Sequence, residues 1–340
     1  LPRCRAEFRA RPATRFTGWR RGAACTSGLS FATVARGLHN AARVNSTAVS
    51  HRLQGFLFAG VGAIAFSGKA IIVKLSYRYG VDAITVLMYR MLFAFPMFIT
   101  LSWWSGRGKP PLSRNDWLML GALGFSGYYL ASYLDFAGLQ YISANLERLI
   151  LYLNPTIVLA VSAIFFKAHI RPQQWAALVV SYLGVLVVFG HDISLEGGHV
   201  VLGSVLVLAC AISYALYLIF SGRAVKRLGP LRITGGATSI ACVLCIAQFF
   251  ILRSPAEMAV ASEVLWLSLL NAVFCTFVPV VLIMIAVDRI GAPIVSQVGI
   301  IGPLSTVGLS WLLLGEPLTV WVLMGTALVL SGVWLLTRWR

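Results

Sequence analysis

Residues 142–165 read ISANLERLILYLNPTIVLAVSAIF, and 148 residues further on residues 290–313 read IGAPIVSQVGIIGPLSTVGLSWLL. Each stretch is long enough to cross a bilayer, since about 20 helical residues at 1.5 Å rise cover a hydrocarbon core of about 30 Å. The offset lays Ala144 on Ala292, Pro155 on Pro303 and Leu159 on Val307. It continues forward to Gly184 on Gly332, and backward to Gly55 on Gly203, Ala63 on Ala211, Ile64 on Ile212 and Phe66 on Tyr214. The chain reads as one membrane-spanning unit written twice.

With 59% hydrophobic and 11% charged residues and a mean hydropathy of +0.83, the composition excludes an ordinary soluble domain. In lipid every backbone donor and acceptor must be paired internally, which leaves helices or closed barrels. The apolar stretches lack strict alternation, so they are helices. The expected fold is an all-α membrane protein with ten transmembrane helices, near 55–75, 83–103, 116–137, 142–165, 174–190, 200–221, 233–252, 264–286, 292–314 and 318–337. Short joints with breakers separate them, such as Gly106-Arg107-Gly108-Lys109-Pro110-Pro111 and Gly315-Glu316-Pro317; none has room for a catalytic domain.

Charge sets the orientation. With the N-terminus in the cytoplasm, the joints on that side hold Arg107, Lys109, Arg114, Lys167, Arg171, Arg223, Lys226, Arg227, Arg232, Arg289, Arg338 and Arg340. The opposite joints hold Arg78 and Arg253. This positive-inside bias predicts a multi-pass protein with both termini cytoplasmic, and a bacterial inner (plasma) membrane is the expected location. Five helices per copy is odd, so the second copy lies upside down relative to the first. Residues 53–197 and 198–340 are expected to form two inverted five-helix repeats, a plan common among secondary transporters.

Residues 1–52 are different material. Ten Arg and a single acid, Glu7, supply +9 of the formal +17. Three readings stand: a disordered basic tail on anionic lipid, an organelle transit peptide, or upstream sequence that is not normally translated. The first Met is Met88, inside the second span, and a disordered or non-native extension is the expectation. The segment lacks interleaved aromatics and any binding module, so no nucleic-acid partner is expected.

Catalytic and cofactor motifs are absent. Cys242-Val243-Leu244-Cys245 has CxxC spacing but lies in an apolar span without a His, as small hydrophobes do. Ser67-Gly68-Lys69 fails as a phosphate loop because Gly62 stands one residue too early and Ala70 replaces Ser or Thr. No acid–base or nucleophile–base constellation argues for an enzyme, and neither a cofactor nor a metal is expected.

What stands out is charge at membrane depth, which is costly in lipid and normally faces a bundle interior or cavity. Lys69, Arg90, Asp135, Glu147 and Arg148 all lie within spans, with Lys74 near the end of the first. Lys74, Asp135, Glu147 and Arg148 are expected to share an outer layer. Snorkelling competes for Lys74, and a structural ion pair competes with substrate contact for Glu147 and Arg148. Helical spacing puts Tyr128 and Asp135 on one face, with Ser132 between, and Arg148, Tyr152 and Pro155 in one stripe. Asn154-Pro155 and Gly302-Pro303 are candidate helix breaks at matching positions of the two copies, the best sequence pointer to a binding site. Tyr129, Tyr133, Tyr214 and Tyr217 offer aromatic faces for a solute or for packing.

These residues resemble the drug/metabolite transporter superfamily, specifically EamA-type permeases with two EamA domains, over about 53–337. Phe66 to Lys74, then Thr85 to Arg90 and Ala94, resemble the family's opening span and the arginine closing its leucine-alanine-leucine-arginine-phenylalanine run. Gly315-Glu316-Pro317-Leu318-Thr319, followed by Gly325 and Gly332, resembles its closing block. The first copy departs there, with Lys167-Ala168-His169 in place of Gly-Glu. The resemblance implies a secondary permease for small metabolites, often an exporter of amino acids or related compounds, with Glu316 bracing the joint between the last two spans.

The leading expectation is therefore a non-ATP solute permease with membrane lipid around it and protons as a candidate coupling ion. Its cavity is expected to be lined by Lys69, Arg90 and Tyr128 from one half and Tyr214, Asn271 and Gln297 from the other. The alternative is a membrane interaction or sensory protein with the same fold and no transport. A polar cavity reaching Pro155 and Pro303 favours the permease; Lys69 and Arg90 both locked in ion pairs counts against it.

Overall fold

The computed structural model describes residues 31–166, 171–196 and 198–338, so Lys167, Ala168 and His169 and residues 1–30 lie outside the described residues. The chain divides into two compact units, Leu1–Val49 and Ser50–Arg340. In the first, the described residues are helical. The second holds all the features that follow.

Among the described residues there are helices and turns and no strand. The helices are α1 (Phe31–Tyr77), α2 (Ala83–Gly106), α3 (Arg114–Leu123), α4 (Ala131–Leu139), α5 (Ala144–Tyr152), α6 (Asn154–Phe166) and α7 (Pro172–Glu196). Then come α8 (His199–Leu228), α9 (Pro230–Leu252), α10 (Ser262–Ala272), α11 (Val278–Ile290), α12 (Ala292–Val298), α13 (Ile301–Leu309) and α14 (Val320–Arg338). Six stretches are long and apolar enough to cross a membrane: Arg52–Tyr77, Ala83–Gly106, Pro172–Ser194, His199–Gly222, Pro230–Leu252 and Ser262–Ile290. The shortest of these reaches about 34 Å at 1.5 Å per residue. The other apolar helices are broken or shorter: α5 and α6 meet at 41°, and Ile301–Leu314 and Val320–Leu336 fall below the length of the six. The protein is an integral, multi-pass membrane protein.

Polar caps end the helices where the chain leaves the apolar layer. Asp82 accepts from Thr85 N–H at the start of α2, Ser113 and Asp116 form a reciprocal box at α3, and Ser143 accepts from Leu146 N–H at α5. Each satisfies an N–H that the first helical turn leaves without an intrahelical acceptor. Gly229 (φ 87°) and Gly291 (φ 83°) are single-residue joints in which one helix stops and the next starts. An L side chain at that φ would be strained.

Glycine pairs show how the bundle is related to itself. A Cβ on Gly184 would meet the Gly325 carbonyl at 2.7 Å and the Val329 nitrogen at 2.8 Å. A Cβ on Gly332 would meet the Ala177 carbonyl and the Ser181 nitrogen, both at 2.8 Å. Gly332 is Gly184 moved by 148, and Gly325 and Val329 are residues 177 and 181 moved by the same amount. The pattern recurs elsewhere: Gly203 packs against Tyr141 and Ile142, while Gly55 packs against Arg289 and Ile290. Under the offset of 148 these contacts exchange partners. With no hydrophobic force between helices in lipid, such bare-backbone contacts are a main source of cohesion.

Two of the three π turns among the described residues obey the same offset; the third, Ser310–Leu314, falls on regular helix in the first copy. π-helical turns occupy Gly124–Leu130 and Val273–Phe277, and a shift of 148 carries 125–129 onto 273–277. In the second of these, Pro279 lacks the N–H that a regular helix would donate backward, and Thr276 Oγ donates to the Asn271 carbonyl at 2.9 Å. In the first, Ser213 Oγ donates to the Ser126 carbonyl at 2.7 Å.

The helices end and restart a step before each proline. The chain turns at Leu153, and Pro155 is the second residue of α6; it turns at Gly299 and Ile300, and Pro303 is the third residue of α13. A proline in the first turn of a new helix needs no backbone N–H, so it starts the second half rather than kinking a continuous rod.

Candidate functional site

Four helices bring five charged side chains into the interior: Lys69 on α1, Arg90 on α2, Asp135 on α4, and Glu147 and Arg148 on α5. All are under a tenth exposed. Lys69 Nζ lies 2.5 Å from Asp135 Oδ2 and 3.5 Å from Glu147 Oε1, so two carboxylates share one ammonium. Asp135 Oδ1 and both oxygens of Glu147 have no hydrogen-bond partner. Removing an ion from water costs several kcal/mol even after relaxation. The Lys69 triad meets much of that cost through its own attractions.

The two arginines are held differently. Arg90 Nε donates to Thr276 Oγ1 at 3.0 Å, its guanidinium lies 5.0 Å from the Phe136 ring centroid, and Nη1 has no partner. Arg148 Nη2 donates to Ser67 Oγ at 3.1 Å, its guanidinium lies 5.7 Å from the Phe66 ring, and Nε has no partner. Ser67 Oγ in turn lies 2.8 Å from the Gly302 carbonyl oxygen. A Cβ on Gly302 would stand 3.0 Å from Arg148 Nη2, so a larger residue there would push the guanidinium aside by a few tenths of an ångström. Each arginine thus faces an irregular piece of the other half of the chain: Arg90 the π turn at 273–277, Arg148 the start of α13 just past the Gly299 break.

Several expected groupings are not formed. Tyr128 and Asp135 share a spacing but not a site, because seven residues are about 10 Å along a helix axis and a π turn intervenes. Tyr128 Oη instead lies 3.1 Å from Tyr217 Oη, and Tyr214 stacks on Tyr217 at 5.5 Å. These tyrosines pack with Leu120, Ile233 and Ala237. Gln297 is exposed. Pro155 is exposed too, since the 41° bend turns it off the stripe of Arg148 and Tyr152. Tyr152 keeps its place and donates to the Gly299 carbonyl. Asn271 is fully buried with both amide atoms unpaired, and Asn154 Oδ1 is likewise unpaired. Gly302 and Pro303 are buried.

Lys74 does not belong to the layer of Asp135, Glu147 and Arg148. It donates to the Ile142 carbonyl at 2.7 Å and lies 3.6 Å from Glu316. Nor does Glu316 brace its own joint: it accepts from Ala144 N–H and Asn145 Nδ2, each at 2.9 Å, at the start of α5. Sequence reasoning missed Thr276, Phe136 and this role of Glu316. Thr276 carries no signal, because a lone Thr in an apolar helix is ordinary. Glu316 could have been found as the acid nearest the spans in the closing block.

Two clefts open at the Asp82 end. One of about 320 Å³ is lined by Tyr77, Gly80, Val81, Asp82 and Gln140; another of about 420 Å³ by Leu75, Arg78, Tyr79, Glu263, Trp266 and Leu267. Neither touches the charged cluster. Tyr77 stands between the first cleft and the cluster, donating to the Phe136 carbonyl at 2.6 Å. At the cleft mouth burial pushes the Asp82 carboxyl up. Hydrogen bonds from Thr85 and Arg253 outweigh that and hold it below the usual carboxylate range. Lys69 is therefore locked in ion pairs, Arg90 is not, and the clefts stop short of the helix breaks.

A protein-family model, the EamA-like transporter family, matches this chain twice, over residues 53–190 and 201–338. The chain belongs to the EamA-like transporter family. This EamA-like protein is 29% identical over 283 residues to the uncharacterized transporter YcbK of Bacillus subtilis (strain 168), across 78% of this chain and 86% of that one. It is 25% identical over 221 residues to an uncharacterized transporter of Archaeoglobus fulgidus, across 65% and 76% of the two chains. A solved crystal structure superposes with a TM-score of 0.59 at 17% identity, covering 84% of this chain and 96% of that one; at that identity it speaks for the fold alone. The chain is a membrane transporter of some solute.

Proposed function

We propose that this EamA-like protein is a secondary, non-ATP permease for a small metabolite, an exporter of an amino acid or related compound. It works as ten spans in two inverted halves, 53–197 and 198–340, with both termini cytoplasmic in a bacterial inner membrane. The observation that carries the reading is the pair of buried arginines from one half set against the π turn and the helix break of the other. Inverted halves that meet at broken helices can rock about such a midplane site and open it to either side in turn. Lys69, shared by Asp135 and Glu147, is a place where a proton taken up or lost would change the pairing and so link transport to a gradient.

The test is uptake and efflux of a metabolite panel in vesicles reconstituted with folded protein, with and without a proton gradient. Saturable flux is expected, reduced more by Arg90→Ala than by Lys74→Ala. A folded protein with no saturable flux of any solute overturns the permease for that panel and leaves a sensory or interaction protein of the same fold. Equal loss in the two variants removes Arg90 from the pathway.

A further inference from the structure

We propose that the solute is an organic acid in its carboxylate form and that its carboxylate docks on Arg90. This rests on the permease reading and names the chemical class it carries. Lys69, Arg90 and Arg148 face Asp135 and Glu147 in the interior, which leaves one positive charge in excess. Both carboxylates are already engaged by Lys69. No carboxylate among the described residues lies within ion-pair distance of Arg90 or Arg148.

A lysine in that position could shed its proton. An arginine cannot, so the charge stays and must be compensated from outside the chain. Arg90 is the better placed of the two. Asp135 acts on it from beyond ion-pair distance while held by Lys69, and the groups around it are otherwise neutral: the Thr276 hydroxyl, the Phe136 ring and the thiols of Cys242, Cys245 and Cys275. Nη1 is unused. A carboxylate is the planar acceptor that a guanidinium edge fits with two parallel hydrogen bonds. Asn271, fully buried with its amide unpaired, lies on the same turn as Thr276, whose hydroxyl donates to its carbonyl. It offers an unpaired amide NH2 and a carbonyl oxygen beyond the carboxylate. Docking on Arg90 competes with Thr276 for the guanidinium, so the solute would loosen the contact between the two halves as it binds.

The experiment is thermal unfolding of the full chain in detergent with sodium acetate and sodium benzoate, against acetamide, benzamide and sodium chloride at matched ionic strength. The two carboxylates are expected to raise Tm saturably, and the amides and chloride to leave it unchanged. Arg90→Gln is expected to weaken the apparent affinity by about tenfold or more, the scale of one lost charge-assisted hydrogen bond. Arg90→Lys retains part of it, and Lys74→Gln none of the loss. Should Arg90→Gln not fold, Asn271→Leu replaces it, with a smaller weakening expected. No saturable response, an equal response to amides, or a response unchanged in the variant overturns the proposal.

Flux in vesicles separates this failure from that of the permease reading. Carboxylates that bind while nothing flows leave the docking site standing and remove transport. Flow of neutral or cationic solutes without carboxylate binding does the reverse.

Discussion

Glu316 precedes α14 in the chain, yet its oxygens serve the first turn of α5, through Ala144 N–H 172 residues away and Asn145 171 residues away. Lys74 from α1 approaches the same carboxylate. Replacing Glu316 by Ala strands a helix N–H and an amide and leaves an ammonium without its counter-ion. A loss of about 2–4 kcal/mol is expected, less than for a fully buried pair because Lys74 is partly exposed. Glu316→Gln keeps one acceptor and is expected to lose less. Thermal unfolding in detergent decides it, and an Ala variant as stable as the parent removes the brace. At this scale the sequence was informative where a residue type is improbable. Lys69, Arg90, Asp135, Glu147 and Arg148 stood out because charge in lipid is expensive, and all five are buried together. Thr276 and Phe136 did not stand out, because nothing in their chemistry is unusual in a span. Which acid served Lys69 and which served Lys74 depended on contacts between distant helices.

The helices pack where side chains are missing. Gly184 on α7 has the Gly325 carbonyl within 2.7 Å of where a Cβ would stand, whereas Gly190, also on α7, has nothing within 4 Å. Gly184→Val must push α14 away and is expected to cost about 2–3 kcal/mol as overpacking. Gly190→Ala adds helix propensity without a clash and is expected to be neutral or to stabilise by about 0.5–1 kcal/mol. Thermal inactivation of the two variants tests the packing, and equal effects would contradict it. The repeat in the sequence pointed to Gly184 and Gly332 as equivalent, and they do make exchanged contacts. The prolines pointed to both broken helices within a few residues. The π turns at 124–130 and 273–277 were not legible, because they arise from where hydroxyls and a missing N–H allow the ladder to slip. That slip also undid the expected pairing of Tyr128 with Asp135.

For the whole molecule, the proposed orientation puts the Arg253 joint outside and the Lys109 joint in the cytoplasm. Both Ser254 and Lys109 are exposed, and among the described residues Cys210, Cys242, Cys245 and Cys275 are buried; Cys4 and Cys25, outside the described residues, are replaced by Ser in both variants. In intact spheroplasts a membrane-impermeant thiol reagent is expected to label Ser254→Cys and to spare Lys109→Cys until the membrane is opened. The opposite pattern inverts the protein and removes the positive-inside assignment. The sequence alone determined that the chain lives in a bilayer, that its apolar unit is written twice with an offset of 148, and that five charges stand at membrane depth. Composition, periodicity and the cost of charge in lipid are local properties, readable without coordinates. The tertiary structure alone decided that Lys69 absorbs both acids while Arg90 and Arg148 are left facing the other half. That division depends on which helix faces meet and how deep each side chain lies, and packing between distant segments sets both.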